Sequence, residues 1–231
     1  MESLKAFPVF AGLSDEECAR IDSQCSWRTY EPRAIILDHN EPSTDVRFIL
    51  FGSVRIVVRM MEGREVIFND FGEGRFFGEL SAIDDGARSA NVTAVTRARI
   101  CIMPQSVFRQ VCTDHSLVSM EVMKHLAGMV RMLSERLSEF SFLKAKHRLF
   151  AELLRLSRER KGAVAEGVQQ RIISPAPVQS DIADRISSRR EIVSREMKEL
   201  ERQAILERTR GGLVILDPDK LGRLAAEGWF S

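Results

Sequence analysis

Three features of the chain predict an α+β fold in which an antiparallel β domain precedes a long helix and a winged helix-turn-helix. Across residues 27–103, short apolar runs rich in β-branched residues alternate with Gly, Asn, Asp and Pro. After Pro104 the pattern turns helical, with apolar residues recurring at three- and four-residue intervals. Beyond the stop at SPAPV come a helix, a short break, a second helix and two short strands, the order of a winged helix-turn-helix.

Taken in order, GLSDEECARIDSQC predicts a short opening helix, with Ser14 as N-cap and acidic residues in its first turn. The runs AIILDHNEPSTD, VRFILFGSVRIVVRM, MEGREVIFNDFGEG and SANVTAVTRARICIM then predict an antiparallel sandwich or barrel. From Asp114, Met123, Leu126, Val130, Leu133, Leu137 and Phe140 follow at intervals of three, four, three, four and three, the seam of a coiled coil. The seam is shorter than a free-standing coil needs, so part of its stability is expected from packing on the β domain. It reads either as one amphipathic helix or as a dimer seam flanked by Met129 and Met132 on the domain-facing side, and the dimer is favoured. Residues 142–146 are the expected hinge. HRLFAELLRLSRER predicts a helix, GAVAEGVQQRIIS a hairpin, and LERTRGGLVIL two strands around Gly211 and Gly212. The expected domains are therefore a β domain at 1–113, a dimerisation helix at 114–143 and a DNA-binding domain at 144–231.

Composition narrows the classes. A chain of 231 residues with 44% hydrophobic residues suits two ordinary domains. No apolar run approaches membrane-spanning length, and MESLKAFPVF lacks the features of a signal peptide, so a cytoplasmic protein with no membrane partner is expected. Cys18, Cys25, Cys101 and Cys112 are scattered, which favours reduced thiols over a disulfide framework. Residues 1–140 hold 16 Lys and Arg against 20 Asp and Glu, and residues 141–231 hold 18 against 13. The basic end lies where a nucleic-acid partner would want it, although the bias is small.

Two stretches carry chemistry. FFGELSAIDDGARSANVTA sets Glu79 and Arg88 on either side of a tight acidic turn, as solvated loop charges or as the poles of a polar pocket. In DIADRISSRREIVSREMKELE, Ile182, Ala183 and Ile186 pack the first helix, and Ile192, Val193, Met197 and Leu200 give the second its buried face. The opposite face shows Arg189, Arg190, Glu191, Ser194 and Arg195. Arginine can pair with guanine and glutamate can accept from cytosine, as a recognition helix requires. The competing reading of Ser188-Arg189-Arg190-Glu191 is a capping box, and the arginines could equally be solvated helix charges.

Phe77-Gly78-Glu79-Leu80, Arg88-Ser89-Ala90, the long helix, and Arg190-Glu191 with Arg195 together resemble the catabolite activator protein family, the cyclic-nucleotide-receptor branch of the group that also holds the fumarate-nitrate regulators. The similarity spans nearly the whole chain in one domain order. It implies a β-roll (jelly roll) with a phosphate-binding cassette, in which Arg88 holds a cyclic phosphate, Glu79 the ribose 2′-hydroxyl, and Ser89 a phosphate or purine edge. Gly78 and Leu80 would contribute backbone. Amides at a helix start favour anions, and a guanidinium makes a charge-assisted pair with phosphate. An empty cassette with Glu79 and Arg88 paired to each other is the alternative.

The resemblance further implies a homodimer that reads palindromic double-stranded DNA with TGTGA-like half-sites, with cAMP as effector and RNA polymerase as partner. The loop at residues 163–168 is a positional guess for the polymerase contact. Departures from the family pattern matter. Where cAMP receptors carry a Thr-Ser pair on the long helix, this chain has Leu133-Ser134, which weakens the adenine preference and leaves room for cGMP. Val178 and Gln179 stand where the family has a capping Thr and a phosphate-binding Arg; Ser180 is the substitute cap, and Lys146, Gln179 and Ser180 are candidate phosphate contacts.

Other classes fit less well. A redox or gas sensor of the same fold would need grouped thiolates or another cofactor site, and Cys18 with Cys25 is too sparse for a cluster. An enzyme lacks support, since His39, His115, His125 and His147 show no metal-ligand spacing and there is no nucleophile elbow. A kinase regulatory subunit or channel domain would share the cassette but not the helix-turn-helix.

Overall fold

A computed structural model describes residues 2–59, 65–165 and 168–230. The chain divides into two compact units, Met1–Val130 and Arg131–Ser231. In the first, α1 (Asp15–Asp22) starts at the expected N-cap Ser14, and Glu17 bonds back to it, completing a capping box that the sequence reading did not name. Eight strands follow: β1 (Ser26–Tyr30), β2 (Ile35–Leu37), β3 (Val46–Phe51), β4 (Val54–Arg59), β5 (Glu65–Phe71), β6 (Phe76–Phe77), β7 (Asn91–Ala94) and β8 (Ala98–Met103). They form two antiparallel sheets, ordered β1-β8-β3-β6 and β2-β7-β4-β5.

The period-two alternation of a strand explains the packing. On β8, Ile100 and Ile102 turn into the core shared by the two sheets with Ile36, Val54, Phe71 and Val92. Cys101 and Met103 turn the other way, into a second core with Phe7, Phe10, Phe48 and Phe76. Both faces of β8 are buried from Ile100 onward, so ICIM reads as a continuous apolar run. The short α2 (Glu79–Asp84) lies between β6 and β7, and α3 (Gln105–Asp114) packs on the second core through Phe108 and Val111.

Helix α4 runs from Ser116 to Phe142. Its inner side in the first unit is carried by Val118, Val122, His125 and Leu126, while Met129 and Met132 are half-buried. Of the seam residues, Met123, Val130, Leu133, Leu137 and Phe140 are exposed and Leu126 is half-buried. A helix with a second apolar stripe beyond the one its own core uses has surface to spare for another chain. No described helix is long and apolar enough to cross a membrane.

The second unit contains the end of α4, then α5 (Ala145–Leu156), β9 (Arg158–Ala165), β10 (Val168–Ile173), α6 (Gln179–Arg185), α7 (Arg190–Arg202), β11 (Leu206–Thr209), β12 (Gly212–Ile215) and α8 (Pro218–Ala226). The helix expected to run through SRER stops at Leu156, and Arg158 opens β9 instead. The sheet order is β11-β12-β10-β9. Gly212, with φ of +149°, is required where β12 meets β10, because a Cβ there would lie 2.2 Å from the Ile173 carbonyl oxygen. Leu149, Leu153, Ile182, Val193, Met197, Leu200 and Leu213 fill the core.

One polar cluster is sealed into this unit. Arg136 on α4 and Arg185 on α6 meet Glu152 of α5 at 3.3 and 3.6 Å, and Arg155 pairs with both Glu152 and Glu139. Burial, together with its arginine neighbours, holds the Arg136 pKa below the ordinary value despite the pull of Glu152. Glu152, 1% exposed, is the anion on which three guanidinium groups converge.

Candidate functional site

The cassette is built around one glycine. Gly78 is the left-handed N-cap of α2, with φ of +85°, and offers α2 no side-chain cap. A Cβ on it would stand 2.7 Å from the Arg88 Nη1 and 2.9 Å from the Asp45 carbonyl oxygen, so only glycine lets the turn close on the guanidinium.

Arg88 is 3% exposed. Its Nη1 donates to the Gly78 carbonyl at 2.9 Å, and Nη2 donates to the Ser43 hydroxyl and the Asp45 carbonyl, each at 2.9 Å. Its Nε is buried with no hydrogen-bond partner among the described residues. Burial first, and the neighbouring Arg47 second, hold its pKa below the ordinary arginine value, against the pull of Glu41, Asp45 and Glu79. Arg47 is buried too, but it is compensated: it donates to the Ile36 carbonyl at 2.6 Å and to Glu41 at 2.9 Å. Arg88 has no carboxylate within ion-pair reach among the described residues. A desolvated cation that spends its donors on neutral carbonyls and a hydroxyl leaves its charge open to an anion.

Glu79 opens α2 and is 3% exposed. It does not pair with Arg88; its carboxylate faces His125 Nε2 of α4 at 3.7 Å. Ser89 and Leu80 are exposed beside these two buried charges. Gly78, Glu79 and Arg88 are thus brought together. Leu133 and Ser134 lie on α4 in the other unit, both exposed. The sequence reading missed Arg47, Ser43, Asp45 and His125, all distant in the chain from the motif they complete.

The second candidate surface is the α6–α7 pair. Gln179, Arg190, Glu191, Ser194, Arg195 and Lys198 line one open cleft. An adjoining one is lined by Val178, Gln179, Arg190, Lys198, Glu201 and Arg208, so Lys198 and Arg208 join the expected set. The sequence reading passed over both: Lys198 sits one turn past Arg195 on the same helix, and Arg208 is on a strand.

The expected cap at Ser180 is corrected, and the competing capping-box reading at Ser188 falls as well. Val178 is the N-cap of α6 and makes no side-chain bond, and Ser180 lies exposed within the first turn, so Ser180 does not replace the missing threonine. The N-cap of α7 is Arg189, again without a side-chain bond, and the Ser188 hydroxyl is buried with no partner among the described residues, so no capping box forms. The helix begins one residue later than a Ser188 cap requires, which leaves Glu191 exposed and free to face outward. Arg195 pairs with Glu196 at 2.9 Å. Lys146 is exposed in the first turn of α5 and lines neither cleft. Part of the 163–168 loop, residues 166 and 167, lies outside the described residues. All four cysteines are free thiols, and Cys101, hydrogen-bonded to the Cys25 thiol and buried, has its pKa pushed far up.

Residues 27–115 match the cyclic nucleotide-binding domain, and residues 147–224 match the Crp-like helix-turn-helix domain. The CRP-like cAMP-activated global transcriptional regulator of Mycobacterium tuberculosis is 25% identical over 224 residues, covering 97% of this chain and 99% of that protein. The cAMP-activated global transcriptional regulator CRP of Salmonella typhimurium is 26% identical over 186 residues, 80% of this chain and 86% of that one. Among solved structures, a CooA mutant from Carboxydothermus hydrogenoformans superposes with a TM-score of 0.78 at 17% identity, covering 97% of this chain and 98% of its own.

Proposed function

We propose that this chain, which belongs to the catabolite activator/fumarate-nitrate regulator (CRP/FNR) family of transcription regulators, acts as a homodimer whose DNA binding is gated by a cyclic nucleotide, with cAMP as effector and cGMP also accepted. The observation that carries the reading is Arg88, buried without a counter-charge and with an unfilled Nε. A cyclic phosphate supplies the missing charge and acceptors at once. Neutral ligands would leave that cost standing.

In this reading Arg88 and the amides after Gly78 hold the phosphate, Glu79 accepts from the ribose 2′-hydroxyl, and Ser89 reaches a phosphate or purine edge. Leu80 lends backbone and apolar contact. Ser134 of α4 offers the base one hydroxyl, and Leu133 offers none, which is why purine choice is relaxed. The exposed stripe Met123, Val130, Leu133, Leu137 and Phe140 is the surface for the second copy. Residues 142–146, across the end of α4 and the start of α5, are the hinge. On α7, Arg190, Glu191 and Arg195 read bases, with Arg189 beside them, while Gln179, Ser180 and Lys146 contact phosphates. RNA polymerase is the downstream partner.

Calorimetric titration of cAMP and cGMP into the wild type and an Arg88→Leu variant tests this. Binding of one or both nucleotides by the wild type, lost in the variant, is the expected result. A wild type that takes neither would refute it.

A further inference from the structure

We infer that His125 is the positioning residue for Glu79: it holds the carboxylate for a sugar hydroxyl and makes α4 a party to recognition of the ligand's ribose. The inference rests on the cyclic-nucleotide reading above.

A carboxylate that is 3% exposed needs a partner, because an uncompensated buried charge is costly. Among the described residues, the group within ion-pair reach of Glu79 is His125 Nε2, at 3.7 Å. Other charges nearby are engaged elsewhere. Arg88 bonds Gly78, Ser43 and Asp45, Lys124 pairs with Glu121 at 2.7 Å, and Arg75 lies over the Phe71 ring at 4.9 Å.

The imidazole has little freedom of its own. It stacks on Phe76 with centroids 4.3 Å apart and planes 34° apart, and meets Phe71 edge-on at 6.1 Å. Its Nε2 is buried and has no hydrogen-bond partner, although it faces the carboxylate. The 3.7 Å gap is too long for a hydrogen bond, and a shift of well under an ångström would close it. An unfilled ring nitrogen facing an under-bonded carboxylate across that gap is a bond waiting to form.

A carboxylate has about four acceptor sites, so Glu79 can accept from His125 and a ligand hydroxyl together. A bond from His125 fixes the plane of the carboxylate, so its remaining acceptor sites are already aimed when a ligand hydroxyl arrives. Because α2 is six residues long and starts from an uncapped left-handed glycine, α2 itself gives Glu79 weak orientation. The ring on α4 supplies it. His125 also shares α4 with the exposed stripe proposed as dimer surface, so a ribose contact at Glu79 bears directly on that helix.

The probes are cAMP and 2′-deoxy-cAMP, which differ by the one hydroxyl at issue, titrated calorimetrically into full-length wild type, His125→Leu and His125→Gln. The wild type is expected to prefer cAMP by about tenfold or more, as a hydrogen bond to a charged group warrants. In His125→Leu the ratio is expected to fall toward one while 2′-deoxy-cAMP affinity holds. His125→Gln, which keeps an N–H donor, is expected to restore most of it. His125→Phe, which keeps the stack on Phe76 and removes the donor, serves if the leucine variant does not fold. A donor-less variant that keeps the wild-type ratio, or loses both affinities equally, overturns the inference and leaves the cyclic-nucleotide reading intact. A wild type that binds neither probe overturns both.

Discussion

The cassette and the recognition surface solve opposite electrostatic problems. Arg88 and Glu79 are each 3% exposed; carbonyls and a hydroxyl take the Arg88 donors, and a histidine faces the Glu79 carboxylate. The side chains of Arg189, Arg190 and Glu191 stand in solvent, with no side-chain hydrogen bond or ion pair among the described residues. A buried charge stores a large cost that a matching ligand relieves, so each cassette residue should matter greatly and for one ligand class. Exposed charges cost little to keep and share their task, so each should matter modestly. The same residue type therefore carries different weight in the two places.

The sealed cluster around Glu152 tests the buried half of that contrast most severely. Glu152→Ala leaves Arg136, Arg155 and Arg185 without their common anion and is expected to destabilise the C-terminal unit by about 3–5 kcal/mol. Urea unfolding followed by tryptophan fluorescence reads the loss, since Trp229 belongs to that unit. A change below 1 kcal/mol would show that burial alone does not set the scale.

Arg88→Leu separates burial from binding. Replacing an uncompensated buried guanidinium by an apolar side chain is expected to leave Tm unchanged or raised. Nucleotide affinity is expected to fall about a hundredfold or more, as for truncation of a buried charge partner. Loss of both together would mean that Arg88 is structural.

On the exposed surface the expected effects shrink. Arg190→Ala should cost about 1–3 kcal/mol of base discrimination at one position of the half-site, read by competition with single-base variants. Lys198→Ala should weaken binding evenly across sequences and lower the salt slope by about one, read by anisotropy at several salt concentrations. If Lys198→Ala changed base preference, the division between reading and anchoring residues on α7 would need redrawing.

Local chemistry was the legible part of this chain. Strand alternation, the Ser14 N-cap, the α4 stripe and the α6–α7 break are all set by neighbours in sequence, and each is found in place. What escaped the sequence depends on register between distant segments. Arg47 reaches the cassette because β3 runs beside β6, and His125 reaches Glu79 because α4 packs across the β1-β8-β3-β6 sheet. Arg185 and Glu152 look like surface charges in an amphipathic pattern until α6 folds onto α5. The cap at Ser180 failed for a local reason: α6 begins at Gln179 with Val178 as N-cap, so Ser180 already lies inside the first turn, and no propensity decides so small an offset.

On the proposed function, occupancy of the buried cassette governs DNA binding by the exposed α6–α7 surface. That coupling is tested most directly by titrating full-length protein into a fluorescent duplex carrying a TGTGA palindrome, at one fixed salt concentration because phosphate contacts make affinity salt-dependent, with and without cAMP. Tight binding by the wild type only when cAMP is present, and weak binding by Arg88→Leu under both conditions, is the result expected. Equal affinity with and without the nucleotide would contradict it.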